Sequence, residues 1–311
     1  MNIVVTGGTG FVGRALCATL SRSGHHIVIL TRNAGAVLRV LGTNITAVTW
    51  NGRDPGTWEE SLQGTDAVIN LAGEPIAAGR WTKERKQLIV DSRVNATQLL
   101  AHAISRASSR PRVFISASGV GYYGTSPDRR FDERDGPGSD FFADLCRSWE
   151  GAALAAQSYN TRVLCLRIGM VLDKEGGALA KMVPPFRAFV GGPITPGSQW
   201  VSWIHRVDLV GLIEWVLAHE QIAGPVNVVA PGTVTMKEFC ATLGAALKRP
   251  SWLPVPGFAL RLAFGELASF MTTGQQVIPK VALDNGYPFR YPQLEFALQS
   301  LFAGRGSELA L

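Results

Sequence analysis

An apolar run, Asn2–Thr6, opens the chain and ends in Thr6-Gly7-Gly8-Thr9-Gly10-Phe11-Val12-Gly13. Gly7, Gly10 and Gly13 recur with G-x-x-G-x-x-G spacing. Behind them Phe11, Val12, Ala15, Leu16 and Leu20 fall close to helical spacing, so residues 11–23 are expected to form a helix with one apolar face. Strand, glycine turn and helix in that order restrict the fold sharply. A Cβ at Gly7 or Gly10 would obstruct the tight turn or an approaching diphosphate, and the missing Cβ at Gly13 lets helix and strand pack closely. The helix N-terminus then offers free N–H groups and the positive end of its dipole to an anion. Thr9, Phe11 and Val12 stand in the same turn and join the three glycines as candidate cofactor-binding residues.

Beyond residue 23 the first half alternates short apolar runs with helical periodicity. Strands are expected at Ile27–Leu30, Ile45–Trp50, Ala67–Leu71, Arg112–Ser116 and Arg162–Arg167. Helices are expected at Ala34–Leu41, at Thr82–Ser108 with Thr82 as its cap, and at Phe141–Ser158. The strands are apolar throughout rather than alternating, which calls for a parallel sheet covered on both faces. The expected fold is therefore α/β, a Rossmann-type doubly wound parallel sheet. Past residue 170 the pattern changes. Glycine and proline punctuate Pro184–Pro196, which suggests a loop-rich excursion; a late strand is expected at Val226–Val229 and helices at Met236–Leu247 and Gly257–Phe270. Residues 1–170 with 203–230 are assigned to the dinucleotide-binding domain. Residues 171–202 with 231–311 are assigned to a smaller C-terminal lobe on the substrate side, over the sheet edge where open parallel sheets bind ligands.

Composition removes several classes. The 311 residues are 46% hydrophobic and 17% charged, enough apolar material to exclude a disordered chain. No run of about 18 uncharged apolar residues exists, so no membrane-spanning helix is expected. The opening MNIVVTGGTG has neither a basic n-region nor a small-residue cleavage site, and a cytoplasmic protein is expected. Cys17, Cys146, Cys165 and Cys240 are scattered, and the five histidines show no ligand spacing, so reduced thiols and no metal site are expected. The net charge of +6 raises the question of nucleic acid. Acids interleave with the basic clusters at Arg80–Lys86 and Arg129–Arg134, and no basic stripe with spaced aromatics occurs, so nucleic acid is not expected as a partner.

The residue after the second strand chooses the dinucleotide. An NAD site places an acid about 20 residues past the glycines, on the adenosine 2′-hydroxyl. Here Arg32 stands nineteen positions after Gly13, preceded by Thr31, and no acid occurs between His25 and Trp50. A guanidinium forks onto a 2′-phosphate, which an acid would repel. NADP(H) is expected as cofactor.

With these features the chain resembles the extended, epimerase-like branch of the short-chain dehydrogenase/reductase superfamily over nearly its whole length. TGGTGFVG matches that branch's cofactor fingerprint. Asn70-Leu71-Ala72-Gly73 resembles the strand-four motif, which implies that Leu71, Ala72 and Gly73 line the nicotinamide ribose. Arg93-Val94-Asn95-Ala96-Thr97 is similar to the N-V-x-G-T helix motif, with Arg93 replacing its first asparagine, and brings Asn95 in as a cofactor-binding candidate. Ser116-Ala117-Ser118 followed by Tyr123-Gly124 resembles the S-S-x-x-V-Y-G motif. It implies cofactor contacts at Ser116 and Ala117, with Ser118 the nearest match to the catalytic serine. Trp203–Asp208 resembles F-I-H-V-x-D, and Ile168-Gly169 is expected to pass near the nicotinamide. GVGYYG, PPF…GGPI, WIH and the tail Gln276–Lys280…Gly286-Tyr287 are similar to a narrower NADP-binding "epimerase family protein" group. Some members of that group carry the label cell division inhibitor-like.

One departure bears on catalysis. Enzymes of the superfamily use a Y-x-x-x-K pair, in which the lysine ammonium lowers the pKa of the phenol. The corresponding positions here are Phe142 and Cys146, which supply neither phenol nor ammonium. Ser118 and Tyr123 are the candidate catalytic substitutes. Tyr122, Cys146, Glu74 and Arg167 are weaker ones, and His205 is expected to be a hydrogen-bonded residue opening a helix. Two functions stay open. One is an NADP(H)-dependent oxidoreductase or epimerase acting on a small carbonyl or hydroxyl compound. The other is a non-catalytic NADP(H)-binding regulator, such as a cell division inhibitor-like protein with a division partner. The resemblance also implies a homodimer.

Overall fold

A computed structural model of the chain describes residues 1–37 and 44–302. Seven strands form one sheet: β1 (Asn2–Thr6), β2 (His26–Thr31), β3 (Ile45–Thr49), β4 (Ala67–Asn70), β5 (Val113–Gly119), β6 (Arg162–Ile168) and β7 (Gly224–Val228). Their order is β7-β6-β5-β4-β1-β2-β3, and every pairing is parallel. The order reverses at β1, next to β4, which creates the crevice where doubly wound sheets bind ligands. Helices α1 (Phe11–Arg22), α2 (Ala34–Val37), α3 (Lys83–Asp91), α4 (Val94–Arg106) and α5 (Phe141–Leu154) belong to the first half. Then follow α6 (Gly177–Arg187), α7 (Arg206–Ala218), α8 (Met236–Leu247), α9 (Gly257–Phe264), α10 (Leu267–Met271), α11 (Lys280–Asp284) and α12 (Leu294–Phe302).

Two apolar layers sandwich the sheet, as its continuously apolar strands require. One joins Ile3, Val5, Ile115, Leu164 and Leu166 to Leu16 and Leu20 of α1 and Leu209, Leu212 and Ile213 of α7. The other joins Val4, Val68, Phe114, Val163 and Cys165 to Ala96, Leu100 and Ile104 of α4. A third core is built from Leu172, Leu179, Phe186, Trp203, Phe239, Leu243, Leu298 and neighbours, and packs α6, α8 and α12 together.

The expected helix over residues 82–108 is two helices. Thr82 caps α3, its Oγ1 accepting from the Arg85 N–H at 3.2 Å. The break falls at Ser92-Arg93, whose side chains are drawn to the loop after β4. Ser92 Oγ accepts from the Glu74 N–H at 3.0 Å, and Arg93 Nη2 donates to the Glu74 carbonyl at 3.0 Å. The helix expected from Phe141 gives way after Leu154 to a 3-10 turn, Ala155–Tyr159. That expected over residues 257–270 divides at Gly265, whose φ of +64° ends α9. The proline-punctuated excursion begins later than expected, because Pro184 and Pro185 lie inside α6. Neither carries an N–H, so the Ala180 and Lys181 carbonyls go without their i→i+4 helical donors. Of the helix expected at Ala34–Leu41, residues 34–37 are helical, and 38–41 lie outside the described residues. Among the described residues no helix is long and apolar enough to cross a membrane.

Candidate dinucleotide site

The glycine turn is held by close backbone approach. Gly7 has φ +68°, and a Cβ there would lie 2.5 Å from the Leu71 carbonyl oxygen. A Cβ on Gly13 would lie 2.1 Å from the Gly7 carbonyl oxygen, so α1 touches the turn directly. The Gly10 N–H donates to the Gly7 carbonyl at 2.9 Å and closes the loop. Gly10 caps α1 without a side-chain acceptor, and the first ladder bond is Arg14 N–H to Gly10 carbonyl at 3.0 Å. The N–H groups of Phe11, Val12 and Gly13 therefore precede the helical ladder, in the arrangement that receives an anion. Thr9 and Gly10 are exposed at the tip.

β4 delivers its end to the same place. Thr6 Oγ1 donates to Asn70 Oδ1 at 2.7 Å, and the Leu71 N–H bonds the Thr6 carbonyl at 3.2 Å. Asn70 Nδ2 donates in turn to Thr97 Oγ1 at 2.8 Å and Ser116 Oγ at 3.3 Å. These bonds fix Leu71–Gly73 beside Gly7, with Ser116 and Ala117 one strand over. Arg93 lies beneath this loop: a Cβ on Gly73 would come 3.0 Å from its guanidinium carbon. Burial lowers the Arg93 pKa to about 10, so the group stays a cation at neutral pH. Ile168-Gly169 ends β6 at the same edge, and a Cβ on Gly169 would strike the Ser202 carbonyl oxygen at 2.5 Å.

Arg32 follows Thr31 at the end of β2, with its side chain 82% exposed. Its partner is Glu74, Nη1 to Oε1 at 3.6 Å; Arg85 approaches the other carboxylate oxygen at 3.4 Å. Both arginines reach Glu74 through the fold, Arg32 from 42 positions before it and Arg85 from 11 after it.

The structure gathers Gly7, Thr9, Gly10, Phe11, Val12, Gly13, Thr31, Arg32, Leu71, Ala72, Gly73, Ser116, Ala117, Ile168 and Gly169 along one edge of the sheet. Asn95 is not among them. It lies on the exposed face of α4, its amide donating to Asp91 Oδ1 at 3.0 Å. Arg93 and Thr97 of the same motif face inward instead; Trp149 Nε1 donates to Thr97 Oγ1 at 2.9 Å.

Ser118 and Tyr123 enter a buried polar network. Ser118 Oγ donates to Glu150 Oε1 at 2.7 Å. Arg167 forks onto the same carboxylate, and its Nη1 donates to the Tyr123 hydroxyl at 2.9 Å. The Tyr123 hydroxyl donates in turn to Asn227 Oδ1 at 2.7 Å. Burial holds the Tyr123 phenol well above the usual range. The Arg167 guanidinium carbon also lies over the Tyr122 ring, 3.4 Å from its centroid. Arg167 is thus a fully partnered interior cation. Sequence offered no signal for Glu150 or Asn227 as its neighbours, since they are 17 and 60 positions away.

Phe142 and Cys146 are buried on α5, which begins at Phe141 because Asp140 Oδ1 caps the Ala143 N–H at 2.9 Å. Phe142 packs against Trp81 and Phe270, with ring centroids 5.1 and 4.2 Å away. These rings, with Ala117, Ile76 and Met271, make an apolar wall beside the end of β5. Burial raises the Cys146 thiol to about 11, so it stays protonated at neutral pH. His205 caps α7 as expected, Nδ1 accepting from the Val207 N–H at 3.1 Å, and burial with neighbouring Arg206 and Arg290 lowers its pKa to about 4.

The doubly wound sheet, its reversal at β1 and the uncapped glycine turn define a dinucleotide-binding protein of the Rossmann class. Within that class, the chain belongs to the NAD dependent epimerase/dehydratase family, whose model matches residues 3–229. Residues 255–301 match a domain of unknown function, DUF1731. The chain is 44% identical over 306 residues to the epimerase family protein SDR39U1 homolog, chloroplastic, of Arabidopsis thaliana, covering 97% of this chain and 86% of that protein. It is 41% identical over 308 residues to the epimerase family protein YfhF of Bacillus subtilis, covering 98% and 99%. The crystal structure of human epimerase family protein SDR39U1 with NADPH superposes with a TM-score of 0.85 at 36% identity, covering 97% of this chain and 99% of that one.

Proposed function

We propose that the chain binds NADP(H) along this edge and acts as an atypical oxidoreductase or epimerase on a small carbonyl or hydroxyl compound, without a Y-x-x-x-K pair. The observation that carries the reading is the glycine turn, where a Cβ at Gly7 or Gly13 would strike backbone and α1 begins without a side-chain cap. The human relative solved with NADPH supports the choice of cofactor. The main-chain N–H groups of residues 11–13 would hold the diphosphate, and Arg32 the 2′-phosphate. Leu71–Gly73, Ser116, Ala117 and Ile168-Gly169 would line the nicotinamide half. When bound, NADP(H) supplies a hydride donor or acceptor.

The chain's own residues shape the rest. Phe142, Trp81 and Phe270 exclude water from one side and favour an apolar flank on the substrate. Phe142 has no proton to exchange, and Cys146 holds its proton at neutral pH. Ser118 and Tyr123 act as positioning residues, tying the end of β5 to Glu150, Arg167 and Asn227. The test is NADPH absorbance followed across a panel of carbonyl compounds and sugar nucleotides; turnover of one class supports the reading.

The apolar dyad positions favour a second reading, an NADP(H)-binding regulator of cell division that turns nothing over. Binding without turnover across the panel, together with altered cell length on depletion, would support it.

A further inference from the structure

We propose that the C-terminal lobe docks on an anionic lipid surface through α9 and the loops beside it. The inference is independent of cofactor and substrate. On α9, Leu260 is buried, while Phe258 and Leu262, one turn apart, are 76% and 79% exposed. Four more exposed apolar residues lie on two neighbouring segments: Phe189-Val190 after α6 and Trp252-Leu253 before α9. Hydrogen bonds pin these segments together. Trp252 Nε1 donates to the Phe189 carbonyl at 2.9 Å, and the Trp252 and Leu253 N–H groups both reach the Gly191 carbonyl, at 3.1 and 3.2 Å. The same loop joins the start of α9, where the Gly257 N–H donates to Thr195 Oγ1 at 3.0 Å. The side chains are thus held outward by a hydrogen-bonded frame.

Charge selects the occupant. Arg187, Lys248, Arg249 and Arg261 stand on these segments, and the Arg249 guanidinium carbon lies 4.6 Å from the Phe189 ring centroid. The chain has 24 acids, yet none falls in residues 176–207 or 239–265. The next acid, Glu266, is paired with Lys86. Exposed Trp, Phe and Leu beside cations of a single sign fit the boundary between anionic headgroups and acyl chains. An exposed apolar face of this kind calls for a partner. The segment continues into α10, whose Phe270 packs on Phe142, so the docking face and the apolar wall share one stretch of chain.

The test is sedimentation of the full chain with phosphatidylcholine vesicles, with and without phosphatidylglycerol. The chain is expected to pellet with the anionic vesicles only and to be released by salt. Lys248→Glu with Arg249→Glu should weaken binding by at least about fivefold per charge. Phe258→Ser with Leu262→Ser should weaken it by at least about tenfold. Lys248, Phe258 and Leu262 are exposed and Arg249 is half-buried, and circular dichroism checks that the fold is kept. No pelleting, equal pelleting with neutral vesicles, or binding that both variants retain would overturn the proposal. So would a dimer in light scattering that Phe258→Ser with Leu262→Ser converts to a monomer, since the face would then be covered by a second copy.

Discussion

Arg167 and Glu150 meet as a fork in the interior, Nε to Oε1 and Nη2 to Oε2 both at 2.9 Å, with side chains only 4% and 7% exposed. The pair joins β6 to α5 and organises Ser118 and Tyr123 around it. Removing one partner of such a pair leaves a buried charge uncompensated. Glu150→Ala is therefore expected to cost about 3–5 kcal/mol in chemical denaturation. Arg167→Met in the same chain should recover a large part of that loss. A cost under about 1 kcal/mol for Glu150→Ala alone would mean that the pair is open to solvent.

Tyr123→Phe removes one donor and one acceptor from the network while keeping the ring stacked on Phe131, centroids 5.2 Å apart. A loss of about 1–3 kcal/mol in stability is expected, because Asn227 and Arg167 each lose a buried partner. With Tyr123 as a positioning residue, NADPH affinity measured by calorimetry should be unchanged, and any turnover should change less than about tenfold. A loss of about a thousandfold or more in kcat at full stability would make the phenol a proton carrier.

How much of this was legible follows from which interactions are local. β1 matches the apolar run at residues 2–6, and the Gly7–Gly13 turn is a local backbone requirement written in residue types. The break at Ser92-Arg93 was hidden, since those residues leave the helical pattern only to satisfy Glu74, eighteen and nineteen positions earlier. Asn95 illustrates the same limit. The motif's spelling brought it in, whereas the helix phase turns it outward and turns Arg93 and Thr97 inward. The apolar wall joins Trp81, Phe142 and Phe270, which have no spacing that sequence periodicity detects.

The glycine turn predicts a contrast between two substitutions. Gly13→Ala places a methyl 2.1 Å from the Gly7 carbonyl oxygen, so the turn must move. An overpacking cost of about 3 kcal/mol is expected, with loss of dinucleotide binding. Gly24→Ala meets nothing within 4 Å and suffers only from its φ of +81°. It should cost about 1–2 kcal/mol and leave binding intact. Denaturation and calorimetry on the two variants separate close approach from backbone freedom.

His205 gives a pH dependence of definite sign. Its pKa is lowered from 6.5 to about 4, chiefly by burial. Above pH 6.5 the ring is neutral folded or unfolded, and its contribution to stability is fully present. As pH falls from 6.5 towards 4, the unfolded chain takes up a proton that the native ring refuses, and stability is lost. The total is about 3 kcal/mol. His205→Asn retains an acceptor for the Val207 N–H without titrating. The stability gap between native chain and variant should shift in the variant's favour across that window; a gap independent of pH would contradict the assignment.

With Arg32 proposed to hold the 2′-phosphate, the Glu74 carboxylate, 3.6 Å from Arg32, would compete with it for that cation. Glu74→Gln should therefore tighten NADPH a few-fold and leave NADH unchanged, as read by fluorescence titration.

Calorimetric titration of the chain and of Arg32→Ala with NADPH and NADH tests the central claim most directly. The native chain should bind NADPH at least about tenfold more tightly than NADH, the modest end of a charge-assisted contact because Arg32 is exposed. Arg32→Ala should erase that preference while still binding both. No heat with either dinucleotide, or a preference that survives the substitution, would contradict the account.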